Sequence, residues 1–557
     1  MTSMCKGLSV LILVNMFQDI QASRDEFNKS DWTFYIISAG LCAFFAAYGI
    51  GANDLGNVFA TSVGSKSLSV RQAIVLASIF EFSGAVLMGS NVNKTIRKGI
   101  ADPGCFADNP GLMIYGMTIV TFSVGIWLIL ASYFEMPVST THSCIGGIIG
   151  MTLISRGHRC VIWNYSKNDY SNGTTNMSWY EFPWLDGVSE IVVSWIISPI
   201  ASGFCAAFIY GTINLFVLRW DNSYQRAKIG FPIIVFVTTA LNASYWIIKG
   251  TNGQTNRFGT SRLVREAKSG NLWPTIEISL IFGGICSGLS IILLRNIIKK
   301  IDKKKYSSNS QICDKNIDVE DVDIMDISSH NTGGGAPPIA ETSNSITSYI
   351  KYKLNRDVHK DLQTNKTVGN IHKNMKRHDP KTEEFFHYIQ IFTACIDSFS
   401  HGSNDVSNAM GPFAAAWVAY NRGKVTKSAE IDSGAMLCIL AIGGVGMIIG
   451  LSTYGYKILN AMGTKLIAIT PVRGSCIELG AAMVVIYGSG QGWPLSTTHC
   501  QIGATVAIGL FEGTSGVNWR LFAKTCFGWI ITLVVVGCST AVLVGPSPEP
   551  LKGEYCS

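Results

Sequence analysis

About ten mostly apolar stretches, most of them near the length that crosses a lipid bilayer as a helix, leave this chain of 557 residues few ways to fold. A membrane-spanning helix takes about 20 such residues. The runs are Phe34–Gly51, Ala73–Gly89, Leu112–Phe134, Ile191–Leu218, Phe231–Ile248, Ile276–Ile298, Phe385–Phe399 continuing to Tyr420, Met436–Leu451, the shorter Ile477–Gly488, and Phe522–Val544. Shorter pieces lie at Cys144–Ile154 and Ile502–Phe511. Lipid offers the backbone no hydrogen-bond partners, so runs of this length are read as helices. The pattern predicts an all-α integral membrane protein with ten to twelve crossings. Only 15% of the residues are charged, against about 25% in soluble domains.

Five segments follow: an N-terminal segment 1–30, a first transmembrane repeat 31–220, connecting transmembrane helices 221–298, a polar loop 299–383, and a second transmembrane repeat 384–557. The polar loop is rich in Lys, Asp, Asn and Ser, and it is expected to be largely disordered because it cannot bury enough apolar surface to offset its ordering entropy. Its Lys-rich start marks it as cytosolic. In the N-terminal segment, Leu8–Val14 is too short to span; a signal peptide and an interfacial segment are both open. The net charge of +7 resides largely in basic flanks of apolar runs, such as Arg295, Lys299 and Lys300, which argues against nucleic acid as a partner. The 15 cysteines form no metal-ligand spacing, and several, such as Cys42 and Cys144, sit in apolar runs as packing residues. Cys105 and Cys160 lie in loops and can pair if both face outside. Glycosylation sequons at Asn164, Asn172 and Asn176 suit an external loop.

The two ends of the chain repeat one another. Gly51-Ala52-Asn53-Asp54-Leu55-Gly56-Asn57 returns as Gly402-Ser403-Asn404-Asp405-Val406-Ser407-Asn408. Pro137-Val138-Ser139-Thr140-Thr141-His142 returns as Pro494-Leu495-Ser496-Thr497-Thr498-His499. Between the two motifs each half has an apolar span bearing one acid, Glu81 in the first and Glu478 in the second. Three features recurring in the same order signal duplicated architecture.

An ionised carboxylate at membrane depth costs several kcal/mol unless it is paired or faces water. Asp54 and Asp405 each follow an apolar run beside glycine and asparagine, so each helix is expected to break there, lining a cavity. Their oxygens, with freed carbonyls, are ligands for a hard cation such as sodium. The candidate set is Asn53, Asp54, Asn57, Asn404, Asp405 and Asn408. The Pro-x-Ser-Thr-Thr-His motifs are expected to start helices, whose free N–H groups and positive dipole ends attract an anion. Meeting at the centre, two such starts make an anion site without arginine. Glu81, Glu478 and His401 are candidates for coupling or gating. His142 and His499 are read either as relays or as packing residues. Lys66, Arg71 and Arg473 lie at span edges, where snorkelling to the interface is the first expectation.

Gly51–Asn57 and Gly402–Asn408, each with Pro-x-Ser-Thr-Thr-His downstream, resemble the PiT family of sodium-dependent inorganic phosphate transporters. So do the run on to Gly64-Ser65-Lys66 and the stretch Arg473-Gly474-Ser475-Cys476-Ile477-Glu478-Leu479. The resemblance covers residues 34–218 and 384–545. It implies about 12 membrane helices in two inverted repeats with discontinuous helices at a central site, both termini outside, and symport of monovalent phosphate with sodium. Carried over, the phosphate region falls on Asn53, Asp54, Ser139, Thr140, Thr141, Asn404, Asp405, Ser496, Thr497 and Thr498. Gly56, Ser403 and Ser407 stand where the family usually has alanine.

The expected function is sodium-coupled phosphate symport by alternating access. The alternatives are a proton-coupled symporter and a membrane phosphate sensor that binds without flux. An enzyme is not expected, since the histidine three residues after each serine is poorly placed as its base. No cofactor is expected beyond sodium as the co-transported ion. The partners are phosphate, sodium and the bilayer, most simply at the plasma membrane, with a homodimer as an open option.

Overall fold

Fifteen α-helices and no named strand occur among the residues described by the computed structural model, which are 28–163, 187–245, 247, 273–303, 366–426, 430–491, 493 and 495–545. The three sequons, the Leu8–Val14 run and most of the polar loop lie outside these residues. The first six helices are α1 (Lys29–Asn53), α2 (Leu55–Gly64), α3 (Val70–Lys98), α4 (Pro110–Tyr133), α5 (Thr140–Arg156) and α6 (Gly187–Ile213). Then come α7 (Ser223–Tyr245), α8 (Trp273–Lys303) and the short α9 (Lys366–Lys373). The last six are α10 (Pro380–Arg422), α11 (Ser433–Tyr454), α12 (Tyr456–Thr464), α13 (Pro471–Gln491), α14 (Thr497–Gly509) and α15 (Trp519–Val544).

The helices start where sequence chemistry says they should. Ser69 and Gln72 form a reciprocal capping box on α3. Asp379 caps α10, with Pro380 at its first position. Eight helices among the described residues are long and apolar enough to cross a membrane, with α1 and α2 counted as one. Their outward faces carry large exposed apolar side chains, such as Phe204, Ile530 and Val542, which only lipid or another apolar surface would cover.

Helices α1 and α10 cross the middle of the molecule antiparallel. Thr33 of α1 meets Tyr420 of α10 through their hydroxyls at 3.0 Å, and Gly40 lies against Phe413. Around them the contacts come in matching pairs: α3 packs on α10 as α11 packs on α1, and α5 packs on α15 as α14 packs on α6. Glycine makes these crossings tight. A methyl on Gly84 would overlap the Phe399 carbonyl oxygen, and one on Gly402 would overlap that of Glu81. Gly51 and Gly450 stand in the same relation to the carbonyls of Met447 and Tyr48.

The expected breaks at the two Asn-Asp motifs are only half present. Helix α1 ends at Asn53 and α2 begins at Leu55, yet Asp54 keeps helical dihedrals and its N–H still reaches the Ile50 carbonyl at 2.8 Å. Helix α10 runs unbroken through Asp405 for 43 residues. Its polar residues find partners without unwinding: Ser403 bonds back to the Ser400 carbonyl at 2.6 Å, and Ser407 donates to the Gly89 carbonyl at 2.9 Å. Cys105 and Cys160, which the sequence places in loops where they can pair, form a disulfide. Beside it Arg156 donates to both oxygens of Asp108, at 3.0 and 2.8 Å.

Candidate functional site

The real discontinuities are the starts of α5 and α14, which begin in the interior. The Ser139 hydroxyl accepts from the His142 N–H, and that of Ser496 from the His499 N–H, each at 3.3 Å. Both serines therefore cap their helices, as expected of helix starts. The following threonines face the two aspartates. Thr140 Oγ1 lies 2.9 Å from Asp54 Oδ2 and 2.9 Å from Asp405 Oδ1. Thr497 Oγ1 lies 2.6 Å from Asp405 Oδ2 and 3.5 Å from Asp54 Oδ2. Thr498 donates to Asp54 Oδ1. Asn408 Nδ2 donates to Asp405 Oδ1 at 2.7 Å and stands near the Thr140 and Thr141 hydroxyls at 3.1 and 3.2 Å.

Each bridging hydroxyl has one proton to offer two carboxylates. All these side chains are buried, and two like charges sharing donors in a water-poor interior demand a neutralising partner. Asp54, Asp405 and His401 each place one ligand atom within 4.8 Å of the others, a spacing that accommodates a cation.

Asn53 and Asn404 serve the loops. Asn53 Nδ2 donates to Ser132 Oγ and the Met136 carbonyl at 3.0 and 3.1 Å, while its Oδ1 accepts from the Val138 N–H at 3.0 Å. Asn404 Nδ2 donates to the Leu495 carbonyl at 2.9 Å. Each therefore braces the turn leading into the Ser-Thr-Thr start of its own half. The halves are also laced across: Thr141 donates to the Leu495 carbonyl at 3.1 Å and Thr498 to the Val138 carbonyl at 3.3 Å. The Asn57 side chain lies outside the described residues.

Glu81 and Glu478 are both buried but not equivalent. Glu81, on the first helix after its motif, lies with Oε1 2.7 Å from His401 Nδ1, whose Nε2 is 3.2 Å from Asp405 Oδ2. Glu478 sits on α13, further along its half. Its Oε1 accepts from Thr61 at 2.6 Å, Ser62 at 2.5 Å and Gln390 at 3.1 Å, and its Oε2 accepts from Thr393 at 2.6 Å. His142 and His499 form a two-fold pair: His142 stacks on Trp195 and bonds the Trp529 carbonyl, and His499 stacks on Trp529 and bonds the Trp195 carbonyl. Arg473 does not snorkel. It is 2% exposed and pairs with Glu512. Lys66 and Arg71 are exposed.

Sequence reasoning missed a polar stripe on α10. Gln390, Thr393, Asp397, His401, Asp405 and Asn408 recur every three or four residues, on one face of the helix. The signal was present in an otherwise apolar run. The positions that precede Asp54 by the same intervals hold Ala39, Cys42, Ala46 and Ile50.

A family model described as the phosphate transporter family matches residues 50–540. The chain is 30% identical to the phosphate-repressible phosphate permease pho-4 of Neurospora crassa, over 92% of this chain and 97% of the fungal one. It is 27% identical to human sodium-dependent phosphate transporter 2, over 87% of this chain and 93% of the human one. A solved structure described as the sodium-dependent phosphate transporter aligns with a TM-score of 0.66 at 25% identity, covering 92% of this chain and 98% of its own.

Proposed function

This chain belongs to the phosphate transporter family, whose members are carriers rather than enzymes, and we propose that it couples the uptake of monovalent phosphate to sodium by alternating access around the Asp54–Asp405 centre. The observation that carries the reading is that two helix starts converge on two buried aspartates through shared threonine hydroxyls. Sodium neutralises the carboxylates. The hydroxyls of Thr140, Thr497 and Thr498 are then released to donate to phosphate, beside Thr141 and the free N–H groups of the first turns of α5 and α14. Without the cation, two carboxylates would repel the anion, so coupling is obligatory. The sodium-dependent relatives support the choice of ion. The halves are read as inverted repeats, in keeping with the antiparallel crossing of α1 and α10. The disulfide end faces an oxidising compartment, which fits a plasma-membrane protein with its polar loop in the cytosol.

The test is uptake of labelled phosphate into proteoliposomes holding the purified protein. A sodium gradient should drive accumulation, and uptake that persists when sodium is replaced by potassium would overturn the coupling. A second reading, proton coupling, is favoured by one observation: His401 lies between Glu81 and Asp405 and can hand a proton from one to the other. Accumulation driven by a pH gradient without sodium would support it. Saturable phosphate binding with no flux would identify a sensor.

A further inference from the structure

Behind the two interior helix starts, four aromatic rings stand in one row. Thr140 and Thr497, the first residues of α5 and α14, face the aspartates. His142 and His499 lie two positions on, about 200° round each helix, and so point to the other side. Both are buried. Ring centroids run from Trp195 to His142 at 3.8 Å, from His142 to His499 at 4.6 Å edge-on, and from His499 to Trp529 at 3.7 Å. His142 Nδ1 bonds the Trp529 carbonyl at 3.2 Å, and His499 Nδ1 bonds the Trp195 carbonyl at 3.1 Å. A carbonyl only accepts, so each Nδ1 carries its proton and each imidazole is held in one orientation.

The hydrogen bonds and the ring contacts join different bodies. Helix α5 lies on α15, and α14 on α6, main chain against main chain. A methyl on Gly146 or Gly150 would overlap the Leu533 or Gly537 carbonyl, and one on Gly503 would overlap that of Pro199. Ser202 also donates to the Cys500 carbonyl at 2.7 Å. Each Nδ1 bond stays within one of these pairs and only orients its ring. All three ring contacts lie between the pairs: Trp195 of α6 on His142 of α5, the two imidazoles on each other, and Trp529 of α15 on His499 of α14. Within a pair the helices cannot come closer. The distance between the starts of α5 and α14 is therefore held by the row of rings, together with the Thr141 and Thr498 bonds that lace the two turns. We infer that Trp195, His142, His499 and Trp529 are positioning residues that fix the width of the anion site and so select phosphate over arsenate, a larger oxyanion of the same shape. A wider anion has to part the helix starts, and parting them separates stacked rings, which resist it. Donors kept at a fixed spacing discriminate by size because they cannot rearrange around the wrong guest.

The inference rests on phosphate binding between the two helix starts, and the experiment separates the two. Labelled phosphate is bound to the purified full-length protein in sodium medium and competed with unlabelled phosphate and with arsenate. The readout is the ratio of the two half-inhibitory concentrations, which does not depend on how much protein is active or how fast it turns over. A merely structural loss leaves that ratio alone. Native protein should favour phosphate. Trp195→Leu should bring the ratio about 2- to 10-fold nearer to one, as expected for one lost ring contact. His142→Asn, which removes the ring and keeps an N–H for the Trp529 carbonyl, should do the same, while His142→Phe restores a ring and should lie closer to native. An unchanged ratio in both Trp195→Leu and His142→Asn, or native protein that treats the anions alike, would overturn the inference. Thr140→Val, measured in parallel, tests the site itself. Native phosphate affinity in that variant would take the anion away from the helix starts and sink both ideas; weakened phosphate binding there, with an unchanged ratio in the ring variants, would sink only the role of the rings. If the two ring variants do not yield folded protein, Trp195→Phe and Trp529→Phe decide: a ratio moved toward one supports the inference, and no movement in either overturns it.

Discussion

Replacing Thr140 by valine removes one hydroxyl and keeps the branched shape. In the resting molecule that hydroxyl serves two carboxylates at 2.9 Å each. Its removal leaves Asp405 with the Asn408 amide at 2.7 Å and the Thr497 hydroxyl at 2.6 Å, and leaves Asp54 with Thr498. The resting state therefore loses little, while the phosphate-bound state loses a hydrogen bond to a charged group. Such bonds are worth about 1.5–3 kcal/mol, so the phosphate concentration for half-maximal uptake should rise about 10- to 150-fold at saturating sodium. Thr497→Val should act alike. The double variant should depart from additivity by about 0.5–3 kcal/mol, because both hydroxyls address the same carboxylates. Thr140→Ser restores the donor and should recover most of the loss. The assay is initial phosphate uptake in proteoliposomes across a phosphate series. Changes within twofold for both valine variants would refute the idea that these hydroxyls turn from carboxylate to substrate.

Asp54→Asn and Asp405→Asn should each lower sodium-driven uptake at least about 100-fold, the effect of losing roughly 3 kcal/mol of cation attraction; near-normal rates in both would reject the site. Gly84→Ala and Gly402→Ala should each destabilise the α3–α10 crossing by at least about 1–3 kcal/mol, seen as a lower melting temperature in detergent; unchanged melting would show that the helices yield freely there. Burial, then the Arg473 and Lys376 charges, hold the His378 imidazole, just before α10, down to about 4 from its ordinary 6.5. Its folded value is depressed, so unfolded chains bind the extra proton first, and stability present above about 6.5 drains away as pH falls toward 4. His378→Gln should flatten that part of the melting-versus-pH curve, and a constant offset from native protein across the range would contradict it.

Much of this architecture could be read from the chain because lipid simplifies the rules. The apolar runs had to be helices, and Pro-x-Ser-Thr-Thr carries the cap chemistry that starts α5 and α14 where expected. That α10 would run unbroken through Asp405 could not be read, because the Gly89 carbonyl that takes up the Ser407 hydroxyl comes from another helix. Asn53 and Asn404 were legible as central polar residues, but their service to Val138 and Leu495 depends on how the turns fold back. The pairing of Glu81 with His401 joins opposite halves and leaves no local trace. Asp397 did leave one, through its four-residue spacing to His401 and Asp405, but the apolar residues around it masked it.

The glycine crossings bear on how the molecule can move. At Gly84–Phe399, Gly402–Glu81, Gly51–Met447 and Gly450–Tyr48, main chain rests on main chain with no side chain between. Such a joint has no cushion to compress or repack. Prising two helices apart there would forfeit the whole contact at once, while rotation about the touching point preserves it. Under the alternating-access reading, these four spots would act as axles, about which the helices turn without parting.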